Sequence, residues 1–224
     1  MDMKQLASTF PIVCLAACLA IPAPSFAAID LLPKEVTVDA EATTVRVVNT
    51  GDRPEYVSIS LSRLLNPGVP LEDERLEPVG DATQPSLYAF PFRMTLAPGQ
   101  TKILTLKPLR AVEMETVYRL DVKPVVKMLG TEQKKTAASV VVNLAFSALV
   151  RQLPAKPREA LAVTCDADGA RLQATGNVRY HVKGVKVDGR DLDGFNVYPG
   201  VPLPVKGHVV EIPDHPPCNG ATGQ

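Results

Sequence analysis

Tryptophan is absent, histidine occurs three times, and aromatic residues make up only 5% of the chain. The histidines, His181, His208 and His215, stand at spacings that give no metal-ligand pair. No G-x-S-x-G elbow and no phosphate-binding glycine loop is present, so the usual nucleophile and nucleotide chemistries lack their residues. Asp188, Asp191 and Asp193 cluster around Gly189, but a calcium loop would need a distal glutamate that is missing, and a solvated turn accounts for them. Charge of neither sign is in excess, with 24 basic and 24 acidic residues. No basic stripe interleaved with aromatics could track a phosphate backbone. Internal repeats and low-complexity tracts are also lacking. Together these absences point away from an enzyme, a cofactor, a bound metal, a small-molecule substrate and a nucleic-acid partner.

Long apolar runs are missing too. Leu6 to Ile21 is too short, and too interrupted by Pro11, to span a bilayer comfortably. With Lys4 before it and the small-x-small triplet Ser25, Phe26, Ala27 after it, this stretch reads as an export signal over residues 1–27, cleaved before Ala28. Leu15, Ala16, Ala17 and Cys18 also match the pattern for bacterial lipid attachment, although the downstream cleavage site is the better formed. Cys14 and Cys18 leave with the signal. Cys165 and Cys218 then remain in an oxidising compartment, which favours one disulfide, and no C-x-x-C spacing supports redox chemistry. Closing that loop stabilises the fold by about 4 kcal/mol on chain-entropy grounds.

What the chain does have is proline, 21 residues of it, and alternation. Val36 and Val38, then Val45 and Val47, alternate with polar neighbours before turn chemistry at Asn49-Thr50-Gly51-Asp52. Tyr56 to Leu64 sets Val57, Ile59 and Leu61 against Ser58, Ser60 and Ser62, a half-buried strand. Residues 69–87 are proline-rich and charged without sustained period, and read as an irregular connection with at most short strands. Phe92, Met94 and Leu96 alternate into Ala97-Pro98-Gly99-Gln100, and Leu104 and Leu106 return beyond it, which predicts a hairpin. Ala111 to Tyr118 has room for a short helical turn before Tyr118, Leu120 and Val122 restore the strand pattern. About seven strands in about 120 residues predict an immunoglobulin-like sandwich.

Ser139 to Pro154 carries the most information. One parity, Val140, Val142, Leu144, Phe146, Ala148 and Val150, is wholly apolar, whereas the other, which includes Asn143, Ser147, Leu149 and Arg151, is mixed. Leu144, Ala145, Ala148 and Leu149 also fit helical spacing, but three consecutive valines favour a strand. As an edge strand it would be an aggregation hazard unless another chain is meant to cover it. Pro154 to Pro157 then reads as a hinge, because two prolines in four residues cannot continue a ladder. Residues 28–153 form the first domain and 158–224 a smaller β domain. Leu161 to Cys165, Arg171 to Thr175, Tyr180 to Val187 and His208 to Ile212 are its candidate strands, with turns at Asp168-Gly169, Gly176-Asn177 and Asp188-Gly189.

Six segments in order resemble one family: RLLNPG (63–68), LAPGQTKILTL (96–106), ETVYRLDVKPV (115–125), VNLAFSALVRQLP (142–154), GNVR (176–179) and NVYPG (196–200). They are similar to the periplasmic pilus-assembly chaperones of the PapD-like superfamily, in particular the alternate branch serving colonisation-factor fimbriae. The resemblance implies an all-β chain of two immunoglobulin-like sandwiches in a boomerang. It also implies a non-enzymatic chaperone that lends the last strand of its first domain to fimbrial subunits and delivers them to an outer-membrane usher. Val140, Val142, Leu144 and Phe146 would then enter the subunit's groove, and Lys34 and Arg151 would bind its terminal carboxylate. A free protein of this kind has the option of masking the strand against a second copy. The competing expectation, from the residues alone, is a secreted immunoglobulin-like binding module or a pilus subunit, with the apolar parity filling the chain's own core.

Overall fold

The computed structural model describes residues 29–125 and 145–220. The predicted signal, and with it the choice between Cys18 and Ala27, lies outside them, as do Val140, Val142 and Leu144. Short β-strands make up the described chain, with two single-turn 3-10 helices at Leu71–Asp73 and Val79–Asp81.

In the first sandwich the strands are β1 (Ile29–Leu32), β2 (Glu35–Val38), β3 (Thr43–Asn49), β4 (Glu55–Leu64), β5 (Leu76–Pro78), β6 (Leu87–Phe90), β7 (Arg93–Leu96), β8 (Thr101–Pro108), β9 (Thr116–Pro124) and β10 (Phe146–Gln152). One sheet runs β1-β3-β8-β6; the other runs β2-β10-β9-β4-β5, with β7 also paired to β4. Two stretches change sheet at a cis proline: β1 to β2 across Leu32-Pro33, and β6 to β7 across Phe90-Pro91. The predicted hairpin over 92–106 is therefore corrected. β7 pairs with β4 in one sheet and β8 with β3 and β6 in the other, so the Pro98-Gly99 turn crosses the sandwich instead of joining neighbours. Alternation fixes which side chains point inward but not which strand lies alongside.

The core follows from that alternation. Val45, Val47, Leu104 and Leu106 of one sheet meet Val57, Ile59, Leu120, Val122, Ala148 and Val150 of the other, all almost fully buried. Two polar residues are buried with them, and both are satisfied. Asn49 donates to the carbonyls of Arg53 (2.7 Å) and Leu96 (3.2 Å), and Gln152 donates to those of Arg110 (2.9 Å) and Ser86 (3.2 Å). The Gln152 side-chain oxygen accepts from the Tyr118 hydroxyl at 3.2 Å, which also lies 2.7 Å from the Ser86 hydroxyl.

Burial pushes the Tyr118 phenol above its ordinary pKa, against the opposing pull of the Ser86 hydrogen bond. The folded state thus holds the phenol proton more tightly than the unfolded chain. That contribution is complete below the ordinary phenol value and is lost as pH rises towards the folded one. A Tyr118→Phe variant should therefore lose less stability than the parent as pH rises past 10.0, as followed by denaturant midpoints along an alkaline series. Equal slopes for the two proteins would refute this assignment.

The second sandwich holds β11 (Leu161–Asp166), β12 (Gly169–Ala174), β13 (Tyr180–Val182), β14 (Lys186–Val187), β15 (Arg190–Asp191), β16 (Phe195–Val197), β17 (Leu203–Lys206), β18 (Val209–Glu211) and β19 (Cys218–Asn219). They form sheets β11-β12-β17, β13-β16 and β15-β14-β18-β19 around Leu172, Val182, Val197 and Val210. The predicted strand over 180–187 is two strands broken at Gly184, whose φ of +70° suits glycine. Asp188 and Gly189, predicted as a turn, form the two-residue loop of a hairpin between β14 and the unpredicted β15, with φ of 50° and 76°. The Asp188 carboxylate accepts from the Val209 amide at 2.9 Å, which ties it to the turn. Cys165 and Cys218 are joined, bridging β11 and β19 across 53 residues. Reduction, or Cys165→Ala with Cys218→Ala, is expected to cost about 4 kcal/mol, read as a lowered urea midpoint that tracks the redox state; an unchanged midpoint would contradict it.

Candidate functional site

β10 is the centre of the site. Over Leu149–Gln152 it lies between β9, antiparallel, and β2, parallel, with Leu149 opposite Glu35 and Arg151 opposite Thr37. Over Phe146–Ala148 its ladder partner among the described residues is β9 alone. Among the described residues β10 is thus an edge strand over Phe146–Ala148 and an inner strand over Leu149–Gln152; the earlier part of the predicted edge strand lies outside them. Its apolar parity turns into the sandwich, where Ala148 and Val150 are buried and Phe146 packs partly buried at the margin.

Lys34 stands at that margin. It follows the Pro33 break, so its side chain leaves the end of β2 into solvent, 58% exposed. Its ammonium lies 5.9 Å from the centre of the Phe146 ring and forms an ion pair with Asp30. That hydrogen bond holds the Asp30 carboxyl below its ordinary pKa, burial pulling the other way. The Lys34 backbone carbonyl accepts from the Leu149 amide at 2.9 Å, which closes the β2–β10 seam.

Arg151 points to the opposite, mixed face, and there its carboxylate partners Glu115 and Glu35 also hold Arg179 of the second sandwich. Its guanidinium grips Glu115 with Nε to Oε1 at 2.6 Å and Nη2 to Oε2 at 3.1 Å. This fork-on-fork geometry fixes direction as well as charge. The Glu115 carboxylate is fully buried and also accepts from the Arg179 amide at 2.6 Å, while the Glu115 amide donates to the Asn177 carbonyl at 2.8 Å. Glu35 Oε1 accepts from Arg179 Nη2 at 2.7 Å and lies 3.6 Å from Arg151 Nη1; Arg179 Nη1 reaches the Tyr198 hydroxyl at 3.4 Å. Burial works against the charge on Arg179, but its hydrogen bonds to Tyr198 and Glu35 more than offset this and raise its pKa.

The same face carries an apolar joint. Leu64, Val117 and Tyr198 are buried together, with Leu149 and Val201 packed beside them. A cleft of about 330 Å³ opens next to it, lined by Pro67, Gly68, Glu74, Arg119, Leu149 and Phe195 among others. Arg119 is hydrogen-bonded to Glu74, with Nε 2.8 Å from Oε2. Gly68 has φ +95°, and a Cβ there would touch the Tyr198 ring at 3.4 Å. Gly176-Asn177, predicted as a turn between strands, bends the chain between β12 and β13 and also fastens the connecting segment: a Cβ on Gly176 would lie 2.0 Å from the Arg158 carbonyl, and the Asn177 side chain bonds the Arg158 amide (2.7 Å) and the Lys156 carbonyl (3.0 Å). Glu115, Glu35, Arg179 and Tyr198 were not singled out from the sequence. For Glu115, Arg179 and Tyr198 the one local sign was membership of the segments beginning at Glu115, Gly176 and Asn196; Glu35 lies in none of the six.

No protein-family model matches the chain. The architecture, however, is the two-sandwich fold of the fimbrial chaperones of chaperone–usher systems. Among solved structures, the class 5 fimbriae chaperone CfaA superposes with a TM-score of 0.63 at 21% identity, over 82% of this chain and 90% of that one. A chain of the complex of the Salmonella enterica SafA pilin with the SafB chaperone gives 0.59 at 13% identity, over 89% and 99%. In sequence, a protein of Escherichia coli named as a CFA/I fimbrial subunit is 29% identical over 145 residues, 63% of this chain; the match spans 60% of that relative's length.

Proposed function

We propose that this chain is a non-enzymatic periplasmic chaperone. It binds and caps fimbrial subunits by lending them the first part of its last first-domain strand, with Val140, Val142, Leu144 and Phe146 in the subunit's groove, and passes them to an outer-membrane usher. The observation that carries this reading is the half-free strand: β10 is anchored over Leu149–Gln152 by two neighbours and, among the described residues, has a ladder partner on one side only over Phe146–Ala148. An anchored strand with a free leading half presents backbone donors and acceptors in fixed register, which is what strand addition requires. The alternative, a pilus subunit, draws on the name of the sequence relative. Against it stands a first sandwich that already contains its own last strand between β9 and β2.

Lys34 and Arg151 flank the seam and are the proposed contacts for the subunit's terminal carboxylate. Arg151 also holds the joint through Glu115, so Arg151→Ala confuses two effects, whereas Lys34→Ala leaves the joint alone. Co-expression with a fimbrial subunit in the periplasm is the test. Wild type should raise the amount of subunit recovered, and the two should co-purify. Lys34→Ala should reduce the complex about tenfold, the worth of one charge-assisted hydrogen bond. Subunit levels indifferent to the presence of this chain would reject the chaperone reading.

A further inference from the structure

We infer that Arg179, reaching across from the second sandwich, and Arg151 form a carboxylate-exchange site in which the side chain of Glu35 is a built-in occupant that an incoming subunit carboxylate displaces. Two guanidinium groups share one Glu35 oxygen, at 2.7 Å from Arg179 Nη2 and 3.6 Å from Arg151 Nη1. The cations are fixed and the anion is not. The Arg151 side chain is 13% exposed and clamped by Glu115, and that of Arg179 is 18% exposed and held by Tyr198, whereas that of Glu35 is 45% exposed at the start of a short strand.

Charge counting supports exchange over simple addition. Arg151 and Arg179 are balanced by Glu115 and Glu35, so the closed cluster is neutral. Glu115 cannot leave, because its buried carboxylate accepts three hydrogen bonds, two from Arg151 and one from the Arg179 amide. If the exposed Glu35 side chain swings into water, a net positive charge remains in a half-dry seam, and it is best neutralised by another carboxylate in the same place. The site requires both sandwiches, so occupancy reports their relative placement. The identity of the incoming carboxylate rests on the subunit-capture reading above; the exchange itself does not.

The test uses the full chain, with acetate as the probe and acetamide as its uncharged control. The Nε–Hε signals of Arg151 and Arg179 are followed by NMR in wild type, Glu35→Gln and Glu35→Ala. Removing the internal competitor should lower the acetate concentration at half-effect about tenfold in both variants, with no response to acetamide, and the same variants should capture a co-expressed fimbrial subunit more tightly than wild type. No gain for acetate in either variant overturns the exchange site while leaving capture by wild type, and so the chaperone reading, intact. A gain for acetate with unchanged capture of the subunit also overturns the inference, since the displacing carboxylate is then not the subunit's. If neither wild type nor variants capture the subunit, the chaperone reading fails and the inference falls with it.

Discussion

Replacing Glu115 by alanine is expected to destabilise the protein by about 3–5 kcal/mol, because it leaves the mostly buried Arg151 charge without its partner. Glu115 joins the last strand of the first sandwich to the Asn177–Arg179 segment of the second, beside the second link that Glu35 makes between Arg151 and Arg179. It takes two hydrogen bonds from Arg151 and one from the Arg179 amide, and it gives its own amide to Asn177. Glu115→Gln keeps one carbonyl oxygen for these donors but introduces an amide that must face a guanidinium, so it should fall between wild type and alanine. Urea unfolding supplies the energies. Proteolysis of the 154–160 connection, expected to quicken more in the variants than cleavage elsewhere, supplies the location. A loss below about 1 kcal/mol, the level of an exposed pair, would show that the Glu115 clamp is not what holds the joint.

The second large effect is on binding. Val142→Asp together with Leu144→Asp should abolish subunit capture while leaving the thermal transition of the free protein in place. A buried aliphatic side chain contributes about 1.5–3 kcal/mol, so losing two weakens the complex by roughly a hundredfold or more. The charge inserted against an apolar groove adds to that. Phe146→Asp is a poorer test, since Phe146 packs against the first sandwich's own core and its loss costs stability as well. Ala148 and Val150, which hold the strand in that core, are untouched by the double variant.

How legible all this was in the sequence depends on the range of the interaction. Strand existence and the inward parity were readable wherever alternation ran long, as in β4 and β9, because period two is a local property. The Asp188-Gly189 turn was readable, though not the strand that returns from it, because a two-residue turn with positive φ at both positions selects those residue types. Sheet partnership was not: residues 92–106 alternate as a hairpin does, yet the strands on either side of Pro98-Gly99 belong to different sheets. The short strands β15, β17 and β19 carry too few residues for any period. At the site, Arg151 was named for a different task, and its partner was not legible, since Glu115 lies 36 residues away and nothing local to either residue announces the pair. One further sign was present. Leu149 is apolar on the otherwise mixed parity of its strand, and it packs beside Tyr198 and Val201 from the second sandwich.

Strand donation is the central claim, and backbone hydrogen exchange of the full chain with and without a purified fimbrial subunit tests it most directly. The account predicts that binding slows exchange of the amides from Val140 to Ala148, with lesser change in the already paired Leu149–Gln152 stretch. Protection elsewhere, with those amides exchanging as fast in the complex as in the free protein, would contradict it.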